Sequence, residues 1–184
     1  MNFNAVLTVL ISGLITQNIV CTHLIGMGNG GFSGYSFRKS LLYAVYILAG
    51  SIVCTAVCYP VLYFVLIPLN VEFLKTLAYT LITSLAVFGT DRIISPLFEK
   101  NDIVRTAVTL GTVLGITCLS VAKGGFVEAL VYAAAYGLGF ILLLAVFFCA
   151  RLSVRYSAVP KFLEGEPLDC IITAIIALCF YALS

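Results

Sequence analysis

Asp91 is the first residue in this chain whose chemistry and position stand out together. It follows a charge-free run of fifteen residues, Thr76 to Thr90, and Arg92 comes next. As helix, that run spans about 22 Å, short of the roughly 30 Å of a bilayer's hydrocarbon. Either flanking residues complete the crossing or Asp91 lies inside the membrane boundary. A carboxylate within a membrane is a default site for a cation or a proton. The adjacent arginine supports a plainer reading, an interfacial charge pair that helps set orientation.

Other groups have weaker claims. Asn4, Thr8, Ser12 and Thr16 recur every four residues on one helical face, with Gln17 and Asn18 nearby. Such a stripe either bonds neighbouring helices together or lines an ion or cofactor site near the membrane midplane. His23 is the only histidine, so it has no second imidazole with which to share a metal. Seven cysteines (Cys21, Cys54, Cys58, Cys118, Cys149, Cys170 and Cys179) all sit in apolar stretches and form no CxxC pair. An odd, irregular set is no disulfide framework, and free cysteine packs as a small hydrophobe. Cys54 and Cys58 share a helical face at i, i+4, with no further ligand evident in the sequence. Gly26-Met27-Gly28-Asn29-Gly30-Gly31 matches G-x-G-x-x-G. A dinucleotide fingerprint needs a preceding strand and an acid about 20 residues on. An apolar run precedes this one, and the next acid is Glu72, so a tight turn is the better reading.

The elements that position these residues follow from composition. The 184-residue chain is 62% hydrophobic and 10% charged, with mean hydropathy +1.14. Soluble domains are about half apolar and a quarter charged. A soluble enzyme, a disordered tail and a secreted disulfide scaffold are therefore poor fits. A net charge of +2, scattered along the chain, makes no nucleic-acid face. Charge-free runs cover 1–37, 40–71, 76–90, 106–122, 129–150 and 170–184. They predict six membrane segments near 4–27, 40–68, 73–97, 103–122, 126–151 and 167–183, all helical because an open sheet edge cannot sit in lipid. The first is read as a retained span, since no basic residue precedes it and no cleavage site stands out.

Loops one, three and five carry Arg38, Lys39, Arg92, Lys100, Arg105, Arg151, Arg155 and Lys161, eight of the ten basic residues. By the positive-inside rule these loops are cytoplasmic and both termini face outward. Segments one and four then cross in opposite directions, so the predicted fold is two inverted three-helix repeats, residues 1–98 and 99–184, within one membrane domain. A sequence echo supports this: Gly30-Gly31-Phe32 follows segment one and Gly124-Gly125-Phe126 follows segment four. Inverted repeats place function at the midplane, where glycine-interrupted helices meet. The expected interruptions are at Gly13 and Gly26 in segment one and at Gly111 and Gly115 in segment four.

The whole chain resembles the Rnf/Nqr family of six-span subunits. These are the A and E subunits of Rnf electron-transport complexes and the D and E subunits of the sodium-pumping NADH:quinone oxidoreductase. Gln17 through Asn29 is similar to the family's first motif, N-N-x-x-x-x-x-x-L-G-x-C-P. Leu66-Ile67-Pro68-Leu69-Asn70-Val71-Glu72-Phe73-Leu74-Lys75-Thr76 is similar to L-x-P-L-x-L-E-Y-L-R-T. Thr109-Leu110-Gly111-Thr112-Val113-Leu114-Gly115-Ile116 is similar to T-N-C-A-V-L-G-V, and the Val159-Pro160-Lys161-Phe162-Leu163-Glu164-Gly165 tail is also alike. Asp91 falls where the family has an acid late in span three. The outward termini resemble the Rnf A type.

The resemblance implies a non-catalytic subunit of a redox-driven ion-translocating complex in the cytoplasmic membrane. Its partners would be a homologous six-span subunit or other members of the complex, with a homodimer as another arrangement. In the family, cysteines of each repeat join a partner's to hold a [2Fe–2S] cluster. Here those positions are Gly28 and Gly111, and Asn29 replaces the proline. Glycine cannot ligate iron, so the expectation is a divergent subunit with no cofactor of its own. A relocated metal site would use Cys21 or Cys118, each seven residues from the glycine. The ion candidates are Asn18 and Asp91. The rival function is a small-solute or cation transporter that kept the repeat fold, and a third is a purely structural partner.

Overall fold

The computed structural model describes residues 8–9, 11–13, 37–69, 71–94, 102–155 and 166–182. Every regular element among them is helical. Residues 8–9 and 11–13 are helical pieces of the first predicted segment. Five longer helices follow: α1 (Phe37–Val61), α2 (Lys75–Ile94), α3 (Asp102–Val121), α4 (Phe126–Arg155) and α5 (Glu166–Tyr181). They match segments two to six. The apolar windows at Ser40–Leu66 and Phe126–Val154 are each long enough to cross a bilayer. This is an all-α bundle with the composition of a membrane protein.

α1 extends through Pro60. Proline lacks the N–H for the bond back to residue 56, and strained helices relieve this by widening. The chain then forms a π-helical turn over Leu62–Leu66, with Ile67 N–H donating to Leu62 O at 3.0 Å and Val71 N–H to Leu66 O at 3.1 Å. A 3₁₀ turn over Glu72–Leu74 leads into α2. That helix has 20 residues, about 30 Å, and carries Asp91 within its last turn.

α1 is the central helix, packing on α4, α3 and α2, while α5 packs on α4. The main core joins Tyr43, Ala44 and Ile47 of α1, Val113 and Ile116 of α3, and Ala133, Tyr136, Phe140 and Leu143 of α4. Lipid tails give little hydrophobic drive between helices, so close packing of small residues matters. A Cβ on Gly137 would sit 3.0 Å from Leu48 Cγ, and one on Gly13 would sit 2.7 Å from Ala135 Cβ. The glycines let α1 and the first segment approach α4. The opposite face of α2 exposes Leu77, Leu81, Leu85 and Phe88, suited to lipid.

The expected glycine interruption of segment four is absent, since α3 runs unbroken through Gly111 and Gly115. Each interior glycine costs a helix only about 1 kcal/mol, which packing against three neighbours offsets. Gly26 and Gly28 lie outside the described residues, as does most of segment one.

Candidate functional site

The best-defined polar constellation lies where α1 and α3 begin and α2 ends. Tyr43 and Tyr46 are three residues apart on α1 and share a face. Their rings are tilted, with centroids 6.4 Å apart. Tyr43 Oη and Thr109 Oγ1 of α3 share a hydrogen bond of 2.6 Å across 66 residues of sequence. Tyr43 is 5% exposed and Thr109 fully buried. Tyr46 Oη lies 2.6 Å from Thr90 Oγ1 of α2. A threonine has one O–H, and Thr90 gives its own to Ala86 O at 2.8 Å, so Tyr46 donates to Thr90.

Thr90 immediately precedes Asp91, so the candidate acid belongs to the helical turn that Tyr46 ties to α1. The Asp91 side chain lies outside the described residues. Ser40, a turn before Tyr43 on the same face, is 1% exposed and its hydroxyl has no hydrogen-bond partner among the described residues. The α1–α3 register is parallel: Tyr43 meets Thr109, and Gly50 lies beside Val113. Half-buried Thr106 is therefore level with Ser40.

Other buried hydroxyls are spent locally. Thr83, Thr112, Thr117 and Ser120 each donate to a carbonyl four residues earlier, at 2.6–2.8 Å. This is ordinary back-bonding in an apolar helix.

Gly111 lies mid-helix in α3, and a Cβ built there meets nothing within 4 Å. It offers no side-chain atom that could ligate iron. Cys118, two turns further on, packs beside Cys58, Tyr79 and Val121. Cys54 and Cys58 are 2% and 0% exposed. Nothing in the linear pattern signals that Cys118 approaches Cys58, because only interhelical packing brings them together. Among the described residues, no group of three or more His, Cys, Asp or Glu could hold a metal ion. Asn18, Cys21, His23, Gly28, Asn4 and Thr16 lie outside the described residues. Thr8 is exposed and Ser12 half-buried.

The opposite end of the bundle is closed by aromatics. Gly124 turns the chain with φ +116°, and Tyr59 Oη donates to its carbonyl at 2.8 Å. Tyr59 stacks on Tyr63 at 4.5 Å and meets Phe126 edge-on at 5.4 Å. Lys123 Nζ sits 5.4 Å above the Tyr132 ring. Aromatic clusters of this kind suit a membrane interface. The second glycine–glycine–phenylalanine echo is thus a turn with an aromatic anchor. Arg151 Nε meets Asp169 Oδ1 at 3.1 Å and pins α5 to α4.

No family model matches the chain. Curated relatives match it over nearly its full length. The A subunit of the ion-translocating oxidoreductase complex of Ectopseudomonas mendocina (strain ymp) is 31% identical, over 94% of this chain and 92% of the relative. Its counterpart of the same name from Pseudomonas paraeruginosa (strain DSM 24068 / PA7) is 30% identical, over 96% and 94%. The A subunit of the Na(+)-translocating ferredoxin:NAD(+) oxidoreductase complex of Acetobacterium woodii is 27% identical, over 96% and 95%.

Proposed function

We infer the role of this chain from its family: it belongs to the A subunits of ion-translocating oxidoreductase complexes, the Rnf A type, and serves as a membrane component of an ion-coupled electron-transport complex. The observation that carries this reading is similarity over more than nine-tenths of the chain to A subunits of such complexes, joined to an apolar bundle that is helical throughout its described elements. The chain sits in the cytoplasmic membrane with both termini outward and the Phe37 end of α1 at the cytoplasmic face. Its six spans form two inverted repeats, 1–98 and 99–184. Its partner in the complex is a homologous six-span subunit.

This copy is divergent. With glycine at 28 and 111 it contributes no ligand to an iron–sulfur cluster, and its buried thiols pack as small hydrophobes. Its contribution lies with the ion rather than the electron. Asp91 and Asn18 are the side chains for that task, because a carboxylate or amide held at membrane depth is costly without a function.

The test is co-expression with the other subunits of such an electron-transport complex, followed by purification through a tag on this chain. The expected result is a stable complex whose electron flow drives ion uptake into sealed vesicles. A chain that purifies alone and moves a small solute with no redox partner would replace this reading with the transporter one.

A further inference from the structure

We propose that the turn between α3 and α4, with the aromatic rings packed around it, holds the headgroup of a zwitterionic aminophospholipid. Glu128 and the rings of Tyr59, Tyr63 and Phe126 take its ammonium, and Lys123 takes its phosphate. The site needs the chain in a bilayer and is independent of its place in an electron-transport complex.

The turn brings two opposite charges close without joining them. Gly124, at φ +116°, reverses the chain in a conformation that a side chain would strain. Glu128, in the first turn of α4, folds back over that reversal: its Oε2 lies 3.4 Å from the place a Cβ on Gly124 would take and 4.0 Å from that of Gly125. Lys123, next to Gly124 in the chain, sets its Nζ 5.4 Å from the centre of the Tyr132 ring instead. No salt bridge or hydrogen bond ties the Glu128 carboxylate to another described residue. The side chain is nevertheless half-buried, and the α4 dipole offsets only part of its charge.

Aromatic rings stand beside this carboxylate. Tyr59 Oη donates to the Gly124 carbonyl at 2.8 Å, which fastens its ring to the same turn. Tyr63 stacks on that ring at 4.5 Å and Phe126 meets it edge-on at 5.4 Å. Ring faces attract an alkylammonium group, and a carboxylate balances its charge and accepts its N–H bonds. The rings serve that purpose where single aromatics would serve only as interface anchors.

The surroundings decide what carries the ammonium. Tyr63 is 45% and Phe64 81% exposed at the end of the Ser40–Leu66 apolar span, and Phe126 is 43% exposed where the Phe126–Val154 span begins. The turn therefore lies at headgroup depth, open to lipid. Phosphatidylethanolamine presents an ammonium and a phosphate joined by a short ethylene link, and Glu128 and Lys123 match those charges in sign. Phosphatidylglycerol would set its phosphate beside Lys123 but leave Glu128 facing a neutral glycerol.

The experiment is native mass spectrometry of the purified full chain in detergent, titrated with dioleoyl phosphatidylethanolamine or dioleoyl phosphatidylglycerol, which share their tails and differ in headgroup. Saturable binding of the ethanolamine lipid is expected, about tenfold tighter than that of the glycerol lipid, the usual worth of one polar contact to a charge. Glu128→Gln keeps the side chain's size and should bring the two lipids to equal affinity. Lys123→Gln should weaken both. Phe88→Ala, on the lipid-facing side of α2, should change neither. In the unaltered chain, absence of saturable binding, or equal affinity for the two lipids, overturns the proposal whether or not the variants fold. A preference for the ethanolamine lipid that survives Glu128→Gln, or binding that Lys123→Gln leaves as tight, also overturns it. Membership of a complex fails by a different result: a chain that shows the preference yet joins no electron-transport subunits keeps the site and loses its place in a complex.

Discussion

Asp91 differs from the other seven acids in following directly on a hydroxyl that a neighbouring helix holds in place. If its charge serves ion movement, Asp91→Asn removes that charge at constant size, and redox-driven ion uptake into vesicles should fall to background while the complex stays assembled. Uptake that persists would make Asp91–Arg92 an interfacial pair only. Gly111 supports a prediction of the opposite kind. A Cβ there meets nothing within 4 Å, so Gly111→Cys should fold normally. Its free energy of unfolding in detergent should fall by no more than about 0.5 kcal/mol, or rise slightly as the helix loses a glycine.

At the scale of elements, stability comes from close approach. Gly13→Val would push a side chain into Ala135, whose Cβ lies 2.7 Å from the position a new Cβ would take. We expect destabilisation of about 1–3 kcal/mol, the usual result of overfilling a packed contact, read as a lower midpoint of thermal unfolding in detergent. The ion pair between α4 and α5 is sheltered, with side chains 24% and 18% exposed. Arg151→Ala removes this ion pair and should destabilise the chain by about 1 kcal/mol. Limited proteolysis should then separate α5 from the rest of the chain sooner than in the unaltered protein, because α5 packs on α4 and little else.

For the whole molecule, the prediction concerns iron. If this chain carries no cluster ligand, Cys118→Ala and Cys58→Ala should leave the iron content and visible absorption of the purified complex unchanged. Loss of a [2Fe–2S] spectrum in either variant, with the complex still intact, would show that the thiols beside Tyr79 have taken over the vacated role.

What can be read from the chain is set by short-range physics. The solvent follows from composition, because 62% hydrophobic residues cannot be covered by 10% charged ones in water. Helix positions follow from the lengths of the charge-free runs: α3 at Asp102–Val121 lies within a residue of the predicted 103–122. Asp91 stands out because charge is rare in such a chain. The break expected in segment four does not form because glycine permits an interruption but does not compel one, and α3 has neighbours enough to stay helical throughout. Tyr43, Thr109, Ser40 and Thr90 are inconspicuous in the sequence because a lone hydroxyl in an apolar helix looks the same whether it bonds its own backbone or a neighbouring helix. A helical period of 3.6 gives the face of each residue but not the partner that face will meet. Only the packed bundle brings Tyr43 to Thr109 and Cys58 to Cys118, because such meetings depend on helix register and azimuth, which side-chain shape along the whole interface decides.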